Sequence, residues 1–183
     1  GERPKDGRFR QFRQCDIDVV GRGELDLMYD AQMPAIIADI FTRMQIGAFR
    51  IRMSNRKLLT GFLELLGIPQ NLAKHCLTLV DKLEHIGERG VRKALLEEGL
   101  NEQQIDQLLG FTQMKGTSEI VLRELKQRDG NETFNTGVTE LEAVVQGMKH
   151  LGVSEELFEI DLSIARGLDY YTGTVYETTL LHH

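Results

Sequence analysis

Alternation of polar and apolar residues predicts β-strands near both ends of the chain. Residues 8–20, RFRQFRQCDIDVV, alternate in this way, and a strand directs successive side chains to opposite faces. Similar patterns predict a short strand at 49–53 and a strand at 157–164. Residues 174–181, TVYETTLL, are rich in β-branched and aromatic residues, so with a turn at Gly173 they predict a hairpin with 157–164.

Helical periodicity dominates the chain between these strands. Apolar residues recur at i, i+3, i+4 and i+7 within 25–46, which predicts one amphipathic helix. A second series, from Leu72 to Ile86, predicts another helix, and Asn101 followed by Gln104 predicts a capped helix start. Further helical segments are predicted at 90–98, at 102–109, at 117–128 and in a helix that ends at Gly152.

This order of elements predicts an α+β fold in which a mostly helical insertion interrupts a sheet with a flanking helix. We expect three segments: a partial core at 1–55, a helical insertion domain at 56–152 and a second part of the core at 153–183. The insertion is expected to enclose an apolar core of its own.

Composition excludes several classes of protein. The hydrophobic fraction of 41% and the charged fraction of 27% are typical of globular chains and not of disordered ones. No apolar run reaches the roughly 18 residues of a membrane span, and the polar N-terminal residues do not resemble a secretory signal. Cys15 and Cys76 show no disulfide or metal-ligand spacing, which favours a reducing cytoplasm. Cys15 is expected on the apolar face of its strand, in the core.

Charge is unevenly distributed. The formal net charge is −6, which argues against a general nucleic-acid coat. Residues 1–14 nevertheless hold five Lys or Arg against one Glu and one Asp, a net of +3, so the remaining 169 residues carry −9. The basic start of the chain suits a local phosphate site.

Two segments could carry chemistry. On the first predicted strand, Arg8, Phe12, Gln14 and Asp18 share one face, where a guanidinium suits phosphate oxygens and an aromatic ring can stack on a base. Periodicity alone favours a simpler interpretation, an edge strand with a solvated polar face. The second segment, RGLDYYTG at 166–173, clusters a cation, a carboxylate and two phenols. Its tyrosines could equally do no more than pack in a hairpin.

Longer motifs change this balance. The segment ERPKDGRFRQFRQ at 2–14 resembles the second signature motif of class II aminoacyl-tRNA synthetases in its histidyl form. The segment ARGLDYYTGTVYE at 165–177 resembles the motif peculiar to histidyl-tRNA synthetases and their close paralogues. The resemblance extends over essentially the whole chain, and it implies part of a class II antiparallel sheet.

The resemblance implies a role for each matching residue. Glu2 corresponds to the glutamate of the motif, Arg8 to an arginine on the outer phosphates of ATP, and Phe12 to a ring on adenine. The implied histidine-binding residues are Gln14 at the α-amino group, Asp18 and Tyr171 at the imidazole, and Tyr170 beside them. Arg166 corresponds to the arginine at the histidine carboxylate and the α-phosphate, which makes it the implied catalytic residue because it can stabilise developing charge.

The implied activity is that of a histidine–tRNA ligase, which activates histidine with ATP as histidyl-adenylate and transfers it to tRNA(His). Mg²⁺ is expected with ATP, although no metal ligand can be named from this sequence. A homodimer is expected for the full-length enzyme, and the helical insertion is expected against the tRNA acceptor stem. No membrane partner is expected.

The alternative is a non-catalytic, histidine-sensing protein that resembles the synthetase-like regulatory subunit of ATP phosphoribosyltransferase. The arginine-bearing loop and the long helical insertion favour the synthetase. The first and third class II motifs and the anticodon-binding domain have no counterpart within the 183 residues. We therefore expect the isolated chain to be an internal fragment with little or no aminoacylation activity, and a third possibility is that its incomplete site binds nothing.

Overall fold

The computed structural model describes residues 11–114, 116–165 and 170–181. These residues form an α+β fold, as the sequence predicts, with a small mixed sheet and mostly helical chain around it. The helices are α1 (Met28–Met44), α2 (Arg56–Leu65), α3 (Gln70–Val80), α4 (Leu83–Glu97), α5 (Glu102–Thr112), α6 (Ser118–Lys126) and α7 (Glu132–His150). The strands are β1 (Phe49–Asn55), β2 (Phe158–Ile160) and β3 (Thr174–Leu180).

The described strands form one sheet in the order β2-β1-β3. β1 is parallel to β2, with Ile51 opposite Phe158, and antiparallel to β3, with Met53 opposite Tyr176. The predicted hairpin between 157–164 and 174–181 is therefore wrong, because β1 lies between the two strands. A parallel pair needs a long crossover connection, and the helices from α2 to α7 supply it.

Asparagine side chains define the starts of three helices. Asn101 and Gln104 form the predicted capping box at α5, in which each side chain accepts from the backbone N–H of the other, at 2.9 and 3.0 Å. Asn55 caps α2 by accepting from the Lys57 N–H at 2.9 Å. Asn131 caps α7 by accepting from the Phe134 N–H at 2.8 Å. Each cap satisfies a backbone donor that has no partner within the helix.

One continuous core joins the sheet to the helices. Ile51 and Met53 of β1 are fully buried, and the same cluster of buried residues includes Ala31 of α1, Leu58 of α2 and Val144 of α7. The expectation that 56–152 would enclose a separate core is thus wrong, because helices of that segment pack with α1 and the sheet. The division of the chain into three domains stays a prediction.

The helices within 70–97 differ from the predicted ones. The apolar series from Leu72 to Ile86 is divided between α3 and α4, and the segment predicted at 90–98 is the second half of α4. A break within α4 lies at Gly87, whose φ of 69° is one that L side chains rarely adopt.

The first predicted strand is not formed in the part that the structure describes. Residues 11–20 have no regular secondary structure, and Cys15, placed in the core by its alternation, is exposed. A strand needs a neighbour to bond its backbone N–H and C=O groups, and none of the described strands pairs with this segment. The strand predicted at 157–164 is also shorter than expected, since β2 ends at Ile160.

Candidate functional site

The residues that the sequence assigns to ATP lie at the start of the chain. Phe12 is 60% exposed and lies in the irregular segment 11–20. Glu2 and Arg8 lie outside the described residues. The structure therefore leaves the three ATP assignments as predictions.

The residues that the sequence assigns to histidine come from both ends of the chain. Gln14 and Asp18 are exposed within the irregular segment 11–20. Tyr170 and Tyr171 form an edge-to-face ring pair, with centroids 5.4 Å apart and planes at 87°, and both are exposed. Arg166 lies outside the described residues. Among the described candidates, the structure thus brings together the two tyrosines.

A polar network lies directly after the tyrosine pair, where β3 begins. The Asn55 side chain is fully buried and donates to Glu140 Oε2 at 3.0 Å and to Thr174 Oγ1 at 3.4 Å. Glu140 also forms an ion pair with Lys57. The backbone N–H of Arg56 donates to the carbonyl of Gly173 at 2.9 Å. The C-terminal end of the 166–173 motif is therefore fixed to β1, α2 and α7.

Asp30 adds a second carboxylate near this network. Burial, followed by the negative charge of Glu140, raises the pKa of Asp30 above its usual value of 3.8, although a hydrogen bond from Thr174 and the charge of Lys57 oppose the shift. The Asp30 carbonyl accepts a 2.7 Å hydrogen bond from the Tyr176 hydroxyl. Burial also raises the pKa of Tyr176, so this phenol stays protonated and serves as a donor.

The opposite face of the sheet carries a network of ion pairs. Arg50 and Arg52 alternate with Ile51 and Met53 along β1, so the arginines lie on the face away from the core. Arg52 contacts Asp161 at 2.5 Å and Glu177 at 3.8 Å, and thus links β1 to β3 and to the residue that follows β2. A cavity of about 800 Å³ lies over this face, between the sheet and the ends of α4 and α5. Its lining includes Arg50, Arg52, Glu159, Asp161, Gln113 and Met114.

These two networks were missed by the sequence analysis. In the sequence, Glu140 and Asp161 resemble ordinary solvated carboxylates, and no local pattern marks either of them. The one local signal for Asn55 is that asparagine is a common helix-capping residue.

Metal-ligating side chains are not clustered in the part of the chain that the structure describes. Within 11–114, 116–165 and 170–181, no three His, Cys, Asp or Glu side chains are grouped as metal ligands would be. None of the helices described there is both long and apolar enough to cross a bilayer.

Comparison with known proteins decides the family. The profile of the histidyl-tRNA synthetase family matches residues 2–179, nearly the whole chain. The chain belongs to the histidyl-tRNA synthetase family. It is 56% identical to the histidine–tRNA ligase of Nostoc punctiforme, over all of this chain and 40% of that protein. The ligase of Clostridium tetani is 49% identical, over 98% of this chain and 41% of that protein.

Solved structures agree with this assignment. The crystal structure of histidyl-tRNA synthetase from Nostoc sp. PCC 7120 superposes with a TM-score of 0.91 at 52% identity, covering 95% of this chain and 41% of that one. An ATP phosphoribosyltransferase regulatory subunit/histidyl-tRNA synthetase from Bacillus halodurans C superposes with a TM-score of 0.74 at 16% identity, covering 88% and 41%, and shares the fold. The chain thus spans about 40% of the length of its synthetase relatives.

Proposed function

We propose that this chain is part of the catalytic region of a histidine–tRNA ligase. The observation that carries the proposal is the histidyl-specific segment 165–177 within a chain that matches curated ligases over its whole length. In this proposal histidine and ATP form histidyl-adenylate, and the histidine then passes to tRNA(His). The full-length protein is a cytoplasmic homodimer, and the helices between β1 and β2 lie against the tRNA.

The chemistry needs positioning and charge neutralisation rather than a covalent intermediate. The histidine carboxylate attacks the α-phosphorus of ATP in line, and negative charge gathers on the phosphate. Arg166, a permanent cation, neutralises this charge in our assignment. Arg8 and Phe12 hold ATP, with Glu2 in support. Mg²⁺ accompanies ATP, but the described residues form no dedicated ligand set, so we assign none to the ion.

Selectivity for histidine follows from the proposed ring contacts. Asp18 accepts from one imidazole nitrogen, and Tyr171 acts as donor or acceptor at the other, with Tyr170 packed against it. Gln14 contacts the α-amino group. An amino acid without the two ring nitrogens leaves these polar groups unpaired, which is a costly mismatch.

The test uses an intact ligase that carries this segment. Asp18→Ala should mainly raise the histidine concentration required, whereas Arg166→Ala should slow adenylate formation at saturating substrates by about a hundredfold or more. Pre-steady-state measurement of adenylate formation separates the two effects. Asp129→Ala and Arg89→Ala, at exposed positions outside the proposed site, serve as matched controls.

Two outcomes would contradict the assignments. If Arg166→Ala leaves the adenylate rate unchanged and raises only the histidine requirement, Arg166 is a carboxylate anchor and not catalytic. If the intact protein binds histidine but shows no adenylate formation with ATP, the histidine-sensing alternative is favoured. That alternative has structural support at the level of the fold alone.

A further inference from the structure

The segment between β2 and β3 is tied to the sheet where it begins. Asp161, the first residue after β2, donates its backbone N–H to the Met53 carbonyl at 2.8 Å. Its Oδ2 atom accepts from Arg52 Nε at 2.7 Å and contacts Arg52 Nη2 at 2.5 Å. The two side chains are only 20% and 15% exposed, so this charge-assisted contact is partly shielded from water.

The same carboxylate also directs the chain as it leaves β2. Asp161 Oδ1 accepts from the backbone N–H of Ser163 at 2.9 Å and from the Ser163 hydroxyl at 2.6 Å. The N–H of Ile164 donates to the Asp161 carbonyl at 3.3 Å. Asp161 therefore uses both carboxylate oxygens, one for β1 and one for the turn that follows β2.

The segment is tied a second time where it ends. The buried Asn55 side chain joins Glu140 of α7 to the Thr174 hydroxyl, and the carbonyl of Gly173 accepts from the first N–H of α2. Both anchors use β1, the central strand of the described sheet: Arg52 holds one end of the segment and Asn55 the other. The tyrosine pair lies three residues before the second anchor.

We propose that Asp161 and Glu140 are positioning residues that fix the two ends of this segment and so hold Tyr170 and Tyr171 in place for the substrate. The inference rests on the proposed function for the identity of the substrate, which is the imidazole-bearing amino acid. The tyrosine rings are 84% and 52% exposed, so packing around the rings themselves contributes little to their position. Anchors at the two ends of the segment can fix the position of the rings where packing around them does not. This matters because a small misplacement of a binding group lowers substrate affinity.

The first experiment uses the 183-residue chain and does not depend on activity. Hydrogen exchange with mass spectrometry follows peptides that cover 158–165 and 173–180 in Asp161→Ala and Glu140→Gln. We expect exchange of the amides of Ser163 and Ile164 to rise about tenfold or more in the first variant, and exchange near Thr174 to rise in the second. Arg92→Gln breaks contacts with Glu102 and Asp106 elsewhere and is the matched control. Unchanged exchange in both variants at their respective anchors would overturn the proposal.

The second experiment uses an intact ligase that carries this segment. Both variants should raise the KM for histidine about tenfold while the KM for ATP stays within about twofold, and Arg92→Gln should change neither. A global loss of stability would affect both substrates alike, so this selectivity separates positioning from a structural role. Asp161→Glu, which keeps the charge, should recover part of the affinity.

The outcomes of the two experiments are distinguishable. An intact parent without ligase activity would contradict the proposed function, while the exchange experiment would still test the anchors. Increased exchange with an unchanged histidine KM would overturn the positioning role alone. If Asp161→Ala fails to fold, Ser163→Ala removes one hydrogen bond of the same anchor and replaces it in both experiments.

Discussion

Close contact between α2 and α7 makes Gly137 sensitive to substitution by alanine. A Cβ atom at Gly137 would lie 2.5 Å from the Leu58 backbone nitrogen and 3.1 Å from its Cα, and Leu58 is fully buried. Backbone atoms within a helix cannot rotate away as a side chain can, so the two helices would have to separate. Gly110 in α5 is the matched control, because nothing lies within 4 Å of its Cβ position.

The two substitutions should have opposite effects on the free energy of unfolding. Alanine is preferred over glycine in helices by up to about 1 kcal/mol, which is the expected gain for Gly110→Ala. At Gly137 the same gain is opposed by overpacking, which typically costs about 1–3 kcal/mol and more where backbone must move. We therefore expect Gly137→Ala to be less stable than Gly110→Ala by about 1–3 kcal/mol. For a chain of this size, each kcal/mol corresponds to about 2–4 °C in Tm.

Urea unfolding followed by far-UV circular dichroism measures this difference, with calorimetry as a second probe. Gly61→Ala tests the same interface from α2, since its Cβ would lie 2.4 Å from the Phe134 nitrogen. Once one alanine has separated the helices, the second should cost less, so the double variant should be less destabilised than the sum. Equal stability of Gly137→Ala and Gly110→Ala would refute the close approach of α2 and α7.

Two further predictions concern a helix cap and a carboxylate. Asn101→Ala removes the capping box of α5 and should lower the free energy of unfolding by about 0.5–2 kcal/mol, as measured by urea titration. Asn101→Asp, which can still cap the helix, should keep most of this stability. An equal loss of stability in both variants would contradict the cap. Asp30 has a raised pKa because of its burial and the charge of Glu140, so the folded protein binds this proton more tightly than the unfolded chain. Its contribution to stability is complete below pH 3.8 and is lost as pH rises through the raised pKa. Asp30→Asn should therefore show a smaller fall in stability over that range, and an identical pH profile in the two proteins would refute the assignment.

Local signals predicted much of the fold correctly. The α+β class, α1, β1 and the capped start of α5 follow from periodicity and capping residues, which act within a few positions of one another. Strand pairing could not be predicted in the same way. The β-branched and aromatic content of 174–181 indicates a strand but not which strand lies alongside it, so the contact of β3 with β1 was missed.

The candidate site shows the same division between local and distant information. Tyr170 and Tyr171 were found because the motif that contains them is continuous in sequence. Their supports were missed because Asn55 and Glu140 are 85 positions apart, and Arg52 and Asp161 are 109 apart. A carboxylate side chain is most often solvated. Only the folded chain shows that Glu140 and Asp161 are partly buried and form ion pairs with Lys57 and Arg52.

Residues 11–20 present the opposite case, a strand pattern without a strand. Their alternation is strong, yet the described sheet supplies no neighbouring strand, and an isolated strand leaves its backbone groups to water.

Hydrogen exchange should show whether residues 11–20 pair with another strand in an intact ligase. In the 183-residue chain the amides of 11–20 should exchange at the rate of an unfolded peptide, and in an intact ligase carrying this segment they should be slowed by at least about a hundredfold. The amides of β1 are the internal control, since their partners are present in both proteins. Equally fast exchange of 11–20 in both would mean that the alternation only describes a solvated segment. Gln14 and Asp18 would then lack the rigid strand on which their proposed contacts with histidine depend.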